Sequence, residues 1–152
     1  NMDFAMGYYH WFWLAQRSPI PESVINKAPE EWFFSHTSRE EKDKNFFNTN
    51  ALNDYLECIK NPETIKSICE DYRAAATVDL VDDRKSRDDK IKINVPLLVL
   101  WGKKGKLEQW YDTLNIWQNY CSLEVKGHAI NSGHYLAEEN PIEIIENIRK
   151  FI

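Results

Sequence analysis

The chain predicts an α/β fold, present in part, on two observations. Helical patterning dominates up to about residue 90, and two short apolar runs alternating with helices follow it. Strand, helix, strand, helix implies a parallel sheet covered by helices. Two strands alone leave sheet edges unpaired. The expected whole is therefore a larger α/β domain, of which this chain holds a helical region (1–90) and the last two strands with their helices (91–152).

The opening segment from Asp3 to Gln16 is almost entirely apolar and aromatic, with no polar face. A single helix there would have to be buried on every side, by this chain or by neighbours outside it. Pro19 and Pro21 mark a turn, followed by short helices over 22–27 and 30–35. Ser38 to Asn50 is polar and reads as a helix end plus loop. Leu52, Tyr55, Leu56 and Ile59 recur at helical spacing over 51–59. Asn61-Pro62-Glu63 combines a capping acceptor, proline at the first helical position and an acid in the first turn. The helix it opens is expected to run to about Ala75, with Ile65, Ile68, Cys69 and Tyr72 on one face. Asp82 to Lys92 mixes both charges and reads as a solvated connector.

Val95 to Gly102 is a continuous apolar run ending at glycine, the pattern of a strand buried on both faces. Leu107 to Trp117 follows as one amphipathic helix, and Ser122 to Val125 as a second strand. Ile142 to Ile152 is expected to close the chain as a helix with Ile144, Ile145, Ile148, Phe151 and Ile152 inward.

The composition narrows the function. The 152 residues carry a formal net charge of −5, against the basic excess usual in nucleic-acid binders, so no nucleic-acid partner is expected. No apolar run approaches the roughly 20 residues that span a bilayer, and no secretion signal is visible, so no membrane partner is expected. Cys58, Cys69 and Cys121 are odd in number and widely spaced, which fits reduced thiols and a cytoplasmic protein. No Cys or His pairs stand at metal-ligand spacing, and neither a P-loop, a dinucleotide fingerprint nor a Gly-x-Ser-x-Gly elbow occurs. No metal or cofactor is expected.

Chemistry has two candidate locations. Ligands of open α/β sheets sit beyond the carboxyl ends of the strands. His134, on the loop after the second strand, is there either a general base or an exposed loop histidine. His128 reads as structural or solvent-facing, and His36 as a surface residue. Separately, His10 and Trp11 in the first segment and Tyr72 beside Arg73 on a later helix supply N–H and O–H donors. They are either a buried aromatic cluster with polar tips on backbone carbonyls, or a pocket for a small anion or departing halide.

The segment Phe4 to Gln16 with Pro19 and Pro21, the run Asp71 to Asp79, and the ending Ser132 to Pro141 resemble the fluoroacetate (haloacetate) dehalogenases of the α/β-hydrolase fold. The resemblance covers nearly the whole chain and corresponds to the C-terminal half of that family. Residues 1–90 then match the helical cap, and 91–152 the C-terminal part of the hydrolase core.

It implies hydrolysis of the carbon–halogen bond of fluoroacetate or chloroacetate to glycolate through an aspartyl ester. His134 matches the water-activating histidine, and His10, Trp11 and Tyr72 match the donors that hold the halide. The nucleophilic aspartate, the carboxylate-binding arginines and the acid that orients the histidine lie in the family's N-terminal half and have no counterpart here. Asp112 is a distant candidate for the orienting acid. The implied partner is a small haloacid, and the resembled enzymes are often homodimers. The chain alone is expected to be inactive. Two alternatives remain: another capped α/β-hydrolase such as an epoxide hydrolase, or a non-catalytic interaction module.

Overall fold

The computed structural model describes residues 2–37 and 46–152. The apolar opening segment forms two short helices, α1 (Met2–Gly7) and α2 (Tyr9–Leu14), rather than one. The break falls at Tyr8, whose backbone leaves helical geometry. Nor is the segment buried on all sides. His10 and Leu14 are buried, whereas Met2, Met6, Tyr9, Trp11 and Phe12 are exposed.

After a cis Ser18–Pro19 bond come α3 (Ile20–Ile25) and α4 (Pro29–Thr37), close to the expected short helices. Most of the expected polar loop, 38–45, lies outside the described residues. Helix α5 (Thr49–Ile59) starts where the Asn48 side chain accepts a hydrogen bond from the Asn50 amide at 2.9 Å. The Asn61 signal performs as its chemistry dictates. Its carboxamide oxygen accepts from the Glu63 amide at 3.0 Å, and α6 (Pro62–Ala76) begins with Pro62, which has no amide proton to satisfy.

Ile65 and Cys69, one turn apart on α6, are fully buried and form one core with Leu14, Ile25 and Ile59. Trp13, Trp32, Phe33, Ile68 and Tyr72 pack around this core. Each of α2, α3 and α5 packs against α6, so that one helix organises the helical region. Burial pushes the Cys69 thiol up to about 11, leaving it protonated and unreactive near neutral pH.

The charge run expected as a connector is in large part a helix, α7 (Val78–Asp88). Apolar periodicity does not make it helical; charge placement does. Asp79 stands in the first turn and Lys85 and Arg87 in the last, complementing the helix dipole, and Lys85 pairs with Asp89 four residues on. The helix ends at Lys90, whose φ of 56° is left-handed, with the Ile91 amide reaching back to the Ser86 carbonyl at 2.9 Å. Glycine takes that conformation without a side-chain clash. Lys90→Gly is therefore expected to raise stability by about 1 kcal/mol in chemical denaturation.

Residues Asn1–Arg84 and Lys85–Ile152 form two compact units. In the second, β1 (Leu97–Gly102) is followed by α8 (Lys106–Trp110) and α9 (Thr113–Gln118). The expected single helix over 107–117 is thus interrupted. Tyr111 is extended, and the Asp112 carboxylate caps α9 by accepting from the Asn115 amide at 3.3 Å. An aspartate able to satisfy the first turn of a new helix competes with continuing the old one.

The second strand, β2 (Val125–Ile130), begins where the sequence expectation ended it. Cys121 makes an isolated parallel bridge to Ile93. The Gln118 side chain then takes the next backbone groups, donating to the Leu123 carbonyl and accepting from the Val125 amide, both at 3.0 Å. Only from Val125 does the ladder run, parallel, from Leu97↔Val125 to Gly102↔Ile130. Gly127 faces Val99 so closely that a β-carbon would strike the Val99 carbonyl.

Helices α10 (Leu136–Glu139) and α11 (Pro141–Phe151) complete the chain. Asn140 caps α11, Pro141 opens it, and Arg149 and Lys150 stand in its last turn. Two expectations of burial are corrected here. Leu97 to Leu100 are half-buried rather than enclosed on both faces, and Ile145, Ile148 and Ile152 are exposed. Among the described residues the sheet has two strands, too few to cover either set.

Candidate active site

The helical unit brings the three predicted donors together. His10 is 4% exposed and sits on α2, and Tyr72 comes from α6. The His10 and Tyr72 rings lie 5.9 Å apart at 79°, Trp11 and Tyr72 6.3 Å apart at 72°, and His10 and Trp11 6.5 Å apart. These edge-to-face contacts suit aromatic quadrupoles. Trp11 keeps half of its surface exposed, so the cluster opens outward at the indole.

His36, expected at the surface, joins this cluster instead. It is half-buried rather than a surface residue, its ring 5.0 Å from that of His10 and stacked on Trp32 at 4.9 Å and 12°. Positions 32 and 36 are one helical turn apart, and that spacing was the available signal once α4 was recognised.

Arg73 turns away from its neighbour Tyr72. Its guanidinium lies 2.7 Å from both Glu22 and Glu70 and donates to the Gln16 carbonyl at 2.8 Å, tying α6 to α3 and to the end of α2. Its hydrogen bond holds the Glu22 carboxyl below the usual carboxylate value, against the opposing effect of burial. Arg73 is thus committed to the architecture around the donor cluster.

In the second unit, the loop bearing His134 leaves the carboxyl end of β2. The turn after β1 supports it: the Lys103 amide donates to the Ile130 carbonyl at 2.8 Å and Lys104 to the Ser132 carbonyl at 3.0 Å. Ser132 is 1% exposed beneath the loop. Gly102 has to be glycine, since a β-carbon there would collide with the Gly133 carbonyl. His134 itself is exposed, its ring edge-on to Tyr135 at 5.0 Å. His128 is exposed and lies within β2, opposite Leu100, rather than on the loop after it. Asp112, the distant candidate for an orienting acid, uses its carboxylate to cap α9.

Among the described residues, no group of three or more His, Cys, Asp or Glu side chains is placed to hold a metal ion. No helix among them is long and apolar enough to cross a membrane. The thiols of Cys58, Cys69 and Cys121 are unpaired.

No family model matches the sequence. A fluoroacetate dehalogenase from Burkholderia sp is 25% identical over 154 residues, which cover 97% of this chain and 48% of that protein. Among solved structures, one from Nostoc sp PCC 7120 described as an α/β hydrolase is 41% identical with a TM-score of 0.92, covering 99% of this chain and 51% of that one. Another from Pseudomonas aeruginosa, described as an epoxide hydrolase, is 33% identical with a TM-score of 0.89 and covers 99% of this chain and 50% of its own. The fold is the α/β-hydrolase fold in part: a helical cap followed by the last two strands and helices of a mostly parallel sheet. The chain spans about half the length of the relatives it matches.

Proposed function

We propose that the chain is the cap and C-terminal portion of a hydrolase that cleaves the carbon–halogen bond of a small haloacid. The observation that carries this reading is the clustering of His10, Trp11 and Tyr72, three rings with polar hydrogens within 6.5 Å of one another. The likeness to a fluoroacetate dehalogenase supports it. In this reading a carboxylate from a segment preceding Asn1 attacks the α-carbon of the haloacetate. The electron pair of the carbon–halogen bond departs with the halide, which accepts hydrogen bonds from the imidazole, indole and phenol. His134 then removes a proton from water, whose oxygen adds to the ester carbonyl. The ester bond breaks, the departing oxygen takes the proton of the carboxylic acid so formed, glycolate leaves with the carboxylate restored, and His134 gives its proton to solvent.

Preorganised donors help because the halide's charge appears only as the bond breaks. Fluoride, the poorest leaving group of the series, gains most. His10→Ala in the product of the complete reading frame is expected to slow fluoride release from fluoroacetate by about 10²–10³-fold, with a smaller loss on chloroacetate. An ion-selective electrode measures both, and equal losses would count against a halide cradle. The unpaired thiols fit a cytoplasmic location.

The likeness to the Pseudomonas epoxide hydrolase favours a second reading, an epoxide hydrolase. In it Tyr72 would protonate the opening epoxide oxygen and His134 would keep its water-activating part. Turnover of an epoxide with none of a haloacetate would decide for that reading.

A further inference from the structure

One side chain holds the His134 loop on both flanks. Glu139 ends α10 and turns back on its own helix start. Its Oε2 accepts from the Gly133 amide at 2.5 Å and its Oε1 from the Tyr135 amide at 3.0 Å. The Gly133 nitrogen lies four bonds before the Cα of His134 and the Tyr135 nitrogen two bonds beyond it. Tying both to one rigid carboxylate fixes the backbone from which the imidazole projects.

We propose that Glu139 is a positioning residue for His134, acting through the main chain and touching neither substrate nor reacting atoms. The proposal rests on His134 being the water-activating base. Three observations carry it. Both carboxylate oxygens are used, each by a different amide, so a carboxylate fits where a carboxamide would turn an N–H toward an N–H. Gly133 is matched to this contact: a β-carbon there would stand 2.9 Å from Glu139 Oε1 and 3.2 Å from Oε2. The His134 ring is exposed and meets Tyr135 edge-on at 5.0 Å, so the Tyr135 amide that Glu139 holds belongs to the residue its ring packs on. General-base catalysis depends on such placement, because the base has to meet its water within hydrogen-bond reach.

The test compares the wild-type product of the complete reading frame with Glu139→Gln and Gly133→Ala, which break the same brace from opposite sides. Amide hydrogen exchange at Gly133 and Tyr135 is expected to accelerate by about 10- to 100-fold in both variants, with the β1–β2 ladder unchanged. With fluoroacetate as substrate, kcat and KM are expected to fall together by a similar factor at unchanged kcat/KM, and the covalent ester, seen by intact-protein mass, to accumulate. Unaltered exchange at both amides overturns the proposal. So does faster exchange throughout α10 with kcat intact, the result of a plain helix cap. A wild-type protein without haloacetate turnover instead overturns the haloacid reading, and exchange alone then decides whether Glu139 sets the His134 backbone.

Discussion

Replacing His134 by Asn in the product of the complete reading frame is expected to lower steady-state turnover of fluoroacetate by about 10²–10⁴-fold, the range for removing a general base. The loss should be confined to the second chemical step. Displacement of halide needs a carboxylate and the donors but no base, so one equivalent of fluoride is expected as a burst. The enzyme mass should then rise by that of the bound carboxymethyl group and stay raised. Quenched-flow fluoride measurement with intact-protein mass spectrometry separates the two steps. A variant that loses the burst as well would place His134 in the first step, and one that keeps full turnover would leave it the exposed loop histidine of the plainer reading.

The second large effect concerns stability. Arg73→Met removes the guanidinium from a Glu22 carboxylate whose side chain is only 9% exposed. Leaving a buried charge uncompensated is expected to destabilise the protein by about 3–5 kcal/mol near neutral pH, measured by urea denaturation. Arg73→Met combined with Glu22→Gln should recover much of that loss. The pH dependence has a definite sign. Glu22 titrates lower in the folded state than its usual 4.5 because Arg73 hydrogen-bonds to it. The stabilisation is thus complete above that value and lost as pH falls below it through the folded-state titration. Wild type and the single variant should converge in stability on that acid side.

Local chemistry made part of this fold legible. The capping residues Asn61 and Asn140, each followed by proline, mark the starts of α6 and α11, because an acceptor and a missing amide proton act within one turn. The apolar run ending at Gly102 identifies β1. The break at Tyr8 was hidden, since a segment without polar positions has no periodicity to interrupt. Helix α7 was hidden for the opposite reason: it owes its order to charge placement rather than to an apolar stripe. The start of β2 depends on the Gln118 side chain taking backbone groups up to seven positions away, which no strand pattern encodes.

The candidate site divides in the same way. His10, Trp11 and Tyr72 were named through a family resemblance and lie together, whereas spacing alone left them a buried aromatic cluster. His36 and Glu139 escaped because each matters through a tertiary contact: a ring stacked on Trp32 in one case, two backbone amides in the other. Exposed apolar residues on α1, α2 and α11 carry a related message. Exposed apolar surface of this kind marks faces suited to contact with other protein.

In the proposed hydrolase these residues work with a nucleophile supplied from outside this stretch. Reading the coding sequence immediately upstream of the Asn1 codon tests it most directly. An in-frame Gly-x-Asp-x-Gly elbow following a strand-like apolar run is expected there. A start codon directly before Asn1, with no such elbow upstream, would leave His134 without an ester to hydrolyse and contradict the proposed hydrolase.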